Sequence, residues 1–420
     1  MAIMTESGVW EHVPSPFCGI GSDDLKVRVQ GGQVEVLENG DEVTKPAFEQ
    51  PLGDRRPLIQ GKPASLEAAV ARAVEILKQA ELPLISGLAT DVAGMRAALK
   101  LADRLGAVVD SLGSQAALRN ILVLQDSGWI TTTLAEVKNR ADLLVALGVD
   151  IEALFPRFFE RCFWVDGMFV EAACREVVSL GKPPSGAWAR TRRLKVLGCA
   201  NEDLPAVVAV LRALVKARPL AVETVGGINV ADLKSLADKL KAARYGVIAW
   251  AASALNWPHA ELTVQMTCEL IKDLNRTTRC VGLPLGGKEG DQTATQVCSW
   301  LTGFPIRVSF SRGFPEYDPY LYATDRLLAN GEADALLWIS AYSTDRSPPP
   351  SKVPTIVLGR CGMSFEQTPE VYIPVGVPGI DHAGHTYRTD NVVAIRLFKL
   401  REVGLPSTAQ VLTSIYQALE

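Results

Sequence analysis

Ser15, Cys18 and Ser22 stand where a C-x-x-C-x-x-x-C pattern would place three thiolates, in the stretch "SPFCGIGSDD" near the start of the chain. Three such thiolates and a fourth hold an iron–sulfur cluster, because soft sulfur donors suit iron. Here only the middle position carries sulfur, and serine oxygen is a harder and poorer donor. The next cysteine along the chain is Cys162, so no local fourth ligand exists. The loop reads as what is left of a cluster site: a tight turn with one free thiol.

Three other stretches carry candidate chemistry. "GLPLGGKE" runs G-x-x-x-x-G-K from Gly282 to Lys288. A phosphate-binding loop then needs Ser or Thr for Mg²⁺. Glu289 follows instead and Asp291 is close by, two carboxylates that repel a polyphosphate, so the stretch reads as a glycine-rich strand-to-helix turn. His382 and His385 form H-x-x-H within "GIDHAGHTYRTDN". No Cys or Glu joins them locally, and only His12 and His259 remain elsewhere in the chain, whereas structural zinc takes four protein ligands. No metal is expected on this chain. Finally, arginines sit beside turns in "KNR" (138–140), "SFSRGFPEYDPY" (309–320) and "YRTDN" (387–391). Guanidinium forks grip carboxylate or phosphate bidentately, and the turns after parallel strands are where α/β sheets bind ligands.

The elements that must position these residues follow from hydrophobic periodicity. "LKVRVQGGQVEVLE" alternates Leu25, Val27 and Val29 with Val34 and Val36 around Gly31-Gly32, a hairpin pattern, and the first sixty residues read as a small β-rich module. From Ser65, a good N-cap, Leu66, Ala69, Val70, Ala73, Val74 and Leu77 recur at helical spacing. Short apolar strands then alternate with amphipathic helices: "LPLISGL", "DVAGMRAALKLADRLG" closed by Gly106, "AVVDSL", and a helix opened by Thr133-x-x-Glu136 as a capping box before "ADLLVALGVD". The alternation resumes with "LKVLGC", helices from about Asp203, Asn229 and 258, "YGVIAWAAS" and "RCVGLPLG". It ends with "ADALLWISAY", "VPTIVLG" and "EVYIPVG". This predicts an α/β protein with parallel sheets covered by helices.

Composition narrows the class. The chain has 420 residues and a net charge of -4, a balance that disfavours nucleic acid as a partner. "MAIMTESGVWEHVPSP" lacks the basic n-region and apolar run of a signal peptide, and no stretch is long and apolar enough to span a bilayer. Eight scattered cysteines suit reduced thiols in the cytoplasm, the expected location, better than a disulfide scaffold.

Several segments together resemble the B subunit of formylmethanofuran dehydrogenase, a relative of molybdopterin-dependent formate dehydrogenases. They are "PFCGIGSDDLKV", "TTLAEVKNRADLLVALGVD" with "FPRFFERC", "TGFPIRVSFSRGFPEYDP", and "GIDHAGHTYRTDNV", in the family's order across nearly the whole chain. The resemblance implies a small N-terminal cluster module over residues 1–60 and two interleaved Rossmann-like α/β domains. The first covers 61–110 and 300–420, the second is inserted as 111–299, and the C-terminal β-barrel of larger relatives is absent. It implies CO₂ reduction at a tungsten or molybdenum pterin fed by a [4Fe–4S] cluster. The chain departs from the family at both centres. The cluster loop has Ser15, Cys18 and Ser22, and "SLGSQAALRNILVLQDSG", where the family places its metal-binding cysteine, has neither Cys nor His. Such loss resembles the B subunit of the formyltransferase/hydrolase complex of aerobic methylotrophs, which moves formyl from formyl-tetrahydromethanopterin to methylofuran and hydrolyses it. By that resemblance the partners are an amidohydrolase-type A subunit with metal ions, a β-helical C subunit and a formyltransferase D subunit, and this chain has no cofactor of its own. Lys138, Arg140, Arg157, Arg312 and Arg388, basic residues in the resembling segments, are candidates for an anionic ligand in a vacated pterin cleft, such as a polyglutamate tail. The alternative expectation is a working tungsten or molybdenum pterin oxidoreductase.

Overall fold

The Gly31-Gly32 turn adopts left-handed φ at both residues, +57° and +80°, the conformation that lets two right-twisted strands reverse in two residues. The hairpin Leu25–Gln30/Gln33–Glu38 results, with Val27, Val34 and Val36 buried on one face. The strands Val9–Val13 and Ile3–Met4 extend it into a four-stranded antiparallel sheet. The computed structural model describes residues 3–4, 8–187 and 193–419.

The chain divides into two compact units, Met1–Gln115 with Gly287–Glu420, and Ala116–Gly286. The first unit contains the antiparallel sheet and a nine-stranded sheet. The centre of the larger sheet is parallel, in the order Val108–Val109, Pro83–Ala89, Ala335–Ser340, Thr355–Arg360, Val371–Val375. These strands are buried almost throughout, as strands covered on both faces must be. The helices Leu66–Gln79 and Val92–Leu105 pack with the last helix, Thr408–Ala418. Ser65 caps the first through its side chain, and Gly106 closes the second at φ +65°.

The sheet is not parallel out to its edges. Val308–Ser309 and Glu316–Tyr317 add antiparallel strands on one side, and Leu58–Ile59 and Lys62–Pro63 on the other. Two-residue strands carry no readable period, so the pattern predicted only the parallel centre.

The second unit is a five-stranded, wholly parallel sheet in the order Leu194–Leu197, Glu176–Leu180, Leu143–Leu147, Gly246–Ala251, Cys280–Leu285. Helices Leu204–Val215, Val230–Ala242 and Ala260–Leu274 contribute buried faces to its core. Gly148, Gly181 and Gly198 follow three neighbouring strands, and the fully buried Leu204 fills the space over the first two. The Thr133 hydroxyl accepts from the Glu136 N–H, but the Glu136 carboxylate pairs with Arg140 at 2.6 Å, so only half of the expected capping box forms. A complete box stands at Ser407 and Gln410 instead. Among the described residues no helix is long and apolar enough to cross a membrane.

Candidate functional site

The loop between Val9–Val13 and Leu25–Gln30 turns back on itself, with the Ser15 N–H donating to the Ser22 carbonyl at 2.7 Å. That closure gathers Ser15, Cys18 and Ser22, which are 1%, 3% and 0% exposed. Their polar atoms bond to protein. The Cys18 thiol donates to Ser22 Oγ at 3.4 Å, and Cys18 Sγ accepts the Ser22 N–H at the same distance. Ser15 Oγ lies 3.0 Å from Thr44 Oγ1 and accepts the Phe17 N–H. A cluster would need four outward thiolates around a space of its own; this loop offers one thiol, already engaged, and does not fit such a group.

Two further elements crowd the loop. From the C-terminal hairpin Gly384–Tyr387/Ala394–Leu397, the Thr389 N–H donates to the Gly19 carbonyl at 2.7 Å. Ile395 lies so close to Gly21 that a Cβ there would meet its Cδ1 at 2.1 Å. From the turn Gly287–Gly290, half-buried Lys288 lies in the field of the Glu289 and Asp41 carboxylates and the Cys18 thiol. Burial pushes the Lys288 ammonium below the ordinary lysine range, and these neighbours oppose the shift. Asp41 Oδ1 accepts from the Val43 and Thr44 N–H groups, while its buried Oδ2 has no hydrogen-bond partner.

The same turn starts the helix Asp291–Thr302. Gly290 takes φ +85°, and a Cβ on it would come within 2.7 Å of the Thr90 carbonyl oxygen. Asp291 presses its carboxyl against Gly113, whose N–H bonds to it. Burial, and then Glu289, pushes that carboxyl up to about 7 against the pull of Arg346.

The five basic candidates are distributed over both units. Lys138 and Arg140 share the last turn of the helix Leu134–Arg140 in the second unit, both exposed. Arg157, also in that unit, is 5% exposed. In the first unit Arg312 lies between Val308–Ser309 and Glu316–Tyr317, and Arg388 stands next to the cysteine loop. Each guanidinium has a carboxylate within four residues: Arg140 with Glu136 at 2.6 Å, Arg157 with Glu160 at 2.6 Å, Arg312 with Glu316 at 2.9 Å, Arg388 with Asp390 at 2.5 Å. An anionic ligand must compete with these partners. Arg388 lines a groove of about 400 Å³ with His12, Gly21, Asp23 and Arg396.

His385 is exposed on its strand, and His382 Nδ1 lies 2.9 Å from the Ala383 carbonyl. Among the described residues no three His, Cys, Asp or Glu side chains gather closely enough to hold a metal ion. Sequence reasoning missed the buried Asp110–Arg307 pair, at 3.5 Å. Nearly two hundred residues separate its partners, so no local spacing signals it.

Fold and loop define a class: an α/β protein with one wholly parallel sheet, a second that is parallel at its centre, and an antiparallel N-terminal module whose cluster-type loop keeps one thiol. No protein-family model matches the chain. It is 32% identical to the B subunit of the formyltransferase/hydrolase complex Fhc of Methylorubrum extorquens over 332 residues, 76% of this chain and 85% of that one. It is 27% identical over 401 residues to the B subunit of the tungsten-containing formylmethanofuran dehydrogenase 2 of Methanocaldococcus jannaschii, covering 91% and 92% of the two chains. Its fold matches a chain of the crystal structure of the formyltransferase/hydrolase complex FhcABCD from Methylorubrum extorquens in complex with methylofuran. The TM-score is 0.75 at 32% identity, covering 86% of this chain and 98% of that one. The chain belongs to the family of formylmethanofuran dehydrogenase B subunits.

Proposed function

We propose that this chain is a framework subunit, without redox chemistry of its own, in a formyltransferase/hydrolase complex. The carrying observation is the loop of Ser15, Cys18 and Ser22, whose only thiol is hydrogen-bonded to Ser22 and whose Gly21 packs against Ile395. The segment 111–128, which by family resemblance would carry a metal-binding cysteine, holds serines, and no cysteine lies between Cys18 and Cys162. Neither centre of a metal–pterin oxidoreductase finds its ligands in these residues. Formyl transfer and hydrolysis change no oxidation state, so a complex running them has no need of an electron relay.

On this reading the complex moves formyl from formyl-tetrahydromethanopterin to methylofuran and hydrolyses it to formate. The chemistry lies on an amidohydrolase-type A subunit with metal ions and a formyltransferase D subunit, beside a β-helical C subunit. The parts of this chain are then a remnant cluster module (1–60), a first α/β domain (61–110 with 300–420) and a second (111–299). Lys138, Arg140, Arg157, Arg312 and Arg388 stay as proposed contacts for anionic groups, Arg388 the best placed. The second reading, a pterin-dependent oxidoreductase, draws on the tungsten-containing relatives, which align over more of the chain.

Replacing Cys18 by Ser in the assembled complex tests the framework reading. Formyl transfer and hydrolysis should stay within about twofold of the parent, because no step passes through this thiol. A loss of more than about tenfold with assembly intact overturns it.

A further inference from the structure

On the nine-stranded sheet of the first unit lies a cleft of about 260 Å³ that plays no part in the cysteine loop. Its floor is the Asp110–Arg307 pair, whose side chains are 2% and 4% exposed. Both members are committed to protein. Asp110 accepts from the Ser111 N–H at 2.9 Å and the Thr324 N–H at 2.8 Å. Arg307 donates to Ser114 Oγ, to Gln115 Oε1 and to the Pro319 carbonyl. It does so from a left-handed backbone, φ +58°, a conformation that a side chain of this size adopts only where its surroundings hold it.

With the floor neutralised, the groups left facing the cleft are uncharged except for Asp325. Ser111 is 6% exposed, lines the cleft, and its hydroxyl bonds to no protein atom among the described residues. The Gln115 amide nitrogen and the Ser347 hydroxyl are likewise uncommitted. Trp338 contributes an apolar wall, its indole N–H donating to the Arg346 carbonyl at 2.8 Å. The remaining charge, Asp325, is exposed to solvent and repels anions.

We propose that this cleft binds a small uncharged molecule that pairs one flat apolar face with a carboxamide or hydroxyl edge. An anion meets Asp325 and an arginine already fully engaged. A cation meets Asp110 already fully engaged and only the solvent-screened Asp325, and loses its hydration. The volume, below the range of about 300–1,000 Å³ that holds drug-sized ligands, suits a single ring.

Three probes of one size and different charge test this on the full chain by ligand-observed NMR titration: benzamide, benzoate and benzylamine. Benzamide should saturate with a Kd at least about tenfold below those of the two charged probes. Ser347→Trp, which fills the mouth, should weaken benzamide by more than about tenfold, and Ser111→Ala by about threefold, with circular dichroism unchanged. If Ser347→Trp fails to fold, Ser111→Ala decides. Failure of benzamide to saturate, equal binding of benzoate, or indifference of both variants overturns the proposal.

Discussion

Asp291 carries an energetic consequence that depends on pH. Its carboxyl titrates near 7 in the fold against 3.8 when unperturbed, raised first by burial and then by Glu289. Between those values the folded chain holds a proton that the unfolded chain has lost, so stability falls as pH rises from about 4 to about 7 and levels off above. The charged form costs up to about 4 kcal/mol at pH 8. Asp291→Asn keeps an acceptor for the Gly113 N–H and removes the charge. Its melting temperature should exceed the parent's at pH 8 by a few degrees and by less than half as much at pH 5. An equal shift at both pH values contradicts this assignment. At this scale local pairs were legible in the sequence, since each of the four candidate arginines has its carboxylate partner two to four residues away. Which of Glu289 and Asp291 is enclosed was not legible, because Gly113, which makes room for the Asp291 carboxyl, comes from a distant turn.

The turn before the helix Asp291–Thr302 shows how an element is forced by its neighbours. Gly290 and Gly303 flank that helix with nearly the same backbone, φ +85° and +86°. A methyl on Gly303 meets nothing within 4 Å, whereas one on Gly290 meets the Thr90 carbonyl oxygen at 2.7 Å and the Tyr342 ring at 3.1 Å. Gly303→Ala should cost about 1 kcal/mol, from the left-handed conformation alone. Gly290→Ala should cost about 3 kcal/mol or more, because the carbonyl cannot step aside. Chemical denaturation of both variants measures the difference, and equal costs would refute the crowding. Helix type was legible where apolar spacing was clean, as after Ser65. For Asp291–Thr302 the signal was the glycine-rich strand-to-helix turn before it, since "DQTATQVCSWLT" has three threonines and no charge after Asp291, and the single π turn Phe159–Phe163 was not legible.

For the whole molecule, alternating strand and helix patterns exposed the α/β class and both parallel sheets, since buried parallel strands write their burial into continuous apolar runs such as Leu143–Leu147 and Ala335–Ser340. The missing thiolates were equally plain, because cysteine is absent or present regardless of fold. Neither the antiparallel edges nor the Asp110–Arg307 cleft was legible, for both depend on contacts between distant segments. The proposed account rests on one property of the chain's cluster-type loop: it offers a single thiol, Cys18, already engaged with Ser22, where an iron–sulfur cluster takes four thiolates. The most direct measurement is metal analysis with electron paramagnetic resonance on the native complex containing this chain. The account predicts iron, tungsten and molybdenum each below about a tenth of an atom per chain and no cluster signal on reduction. About four irons per chain with a reducible signal, or stoichiometric tungsten or molybdenum, would contradict it.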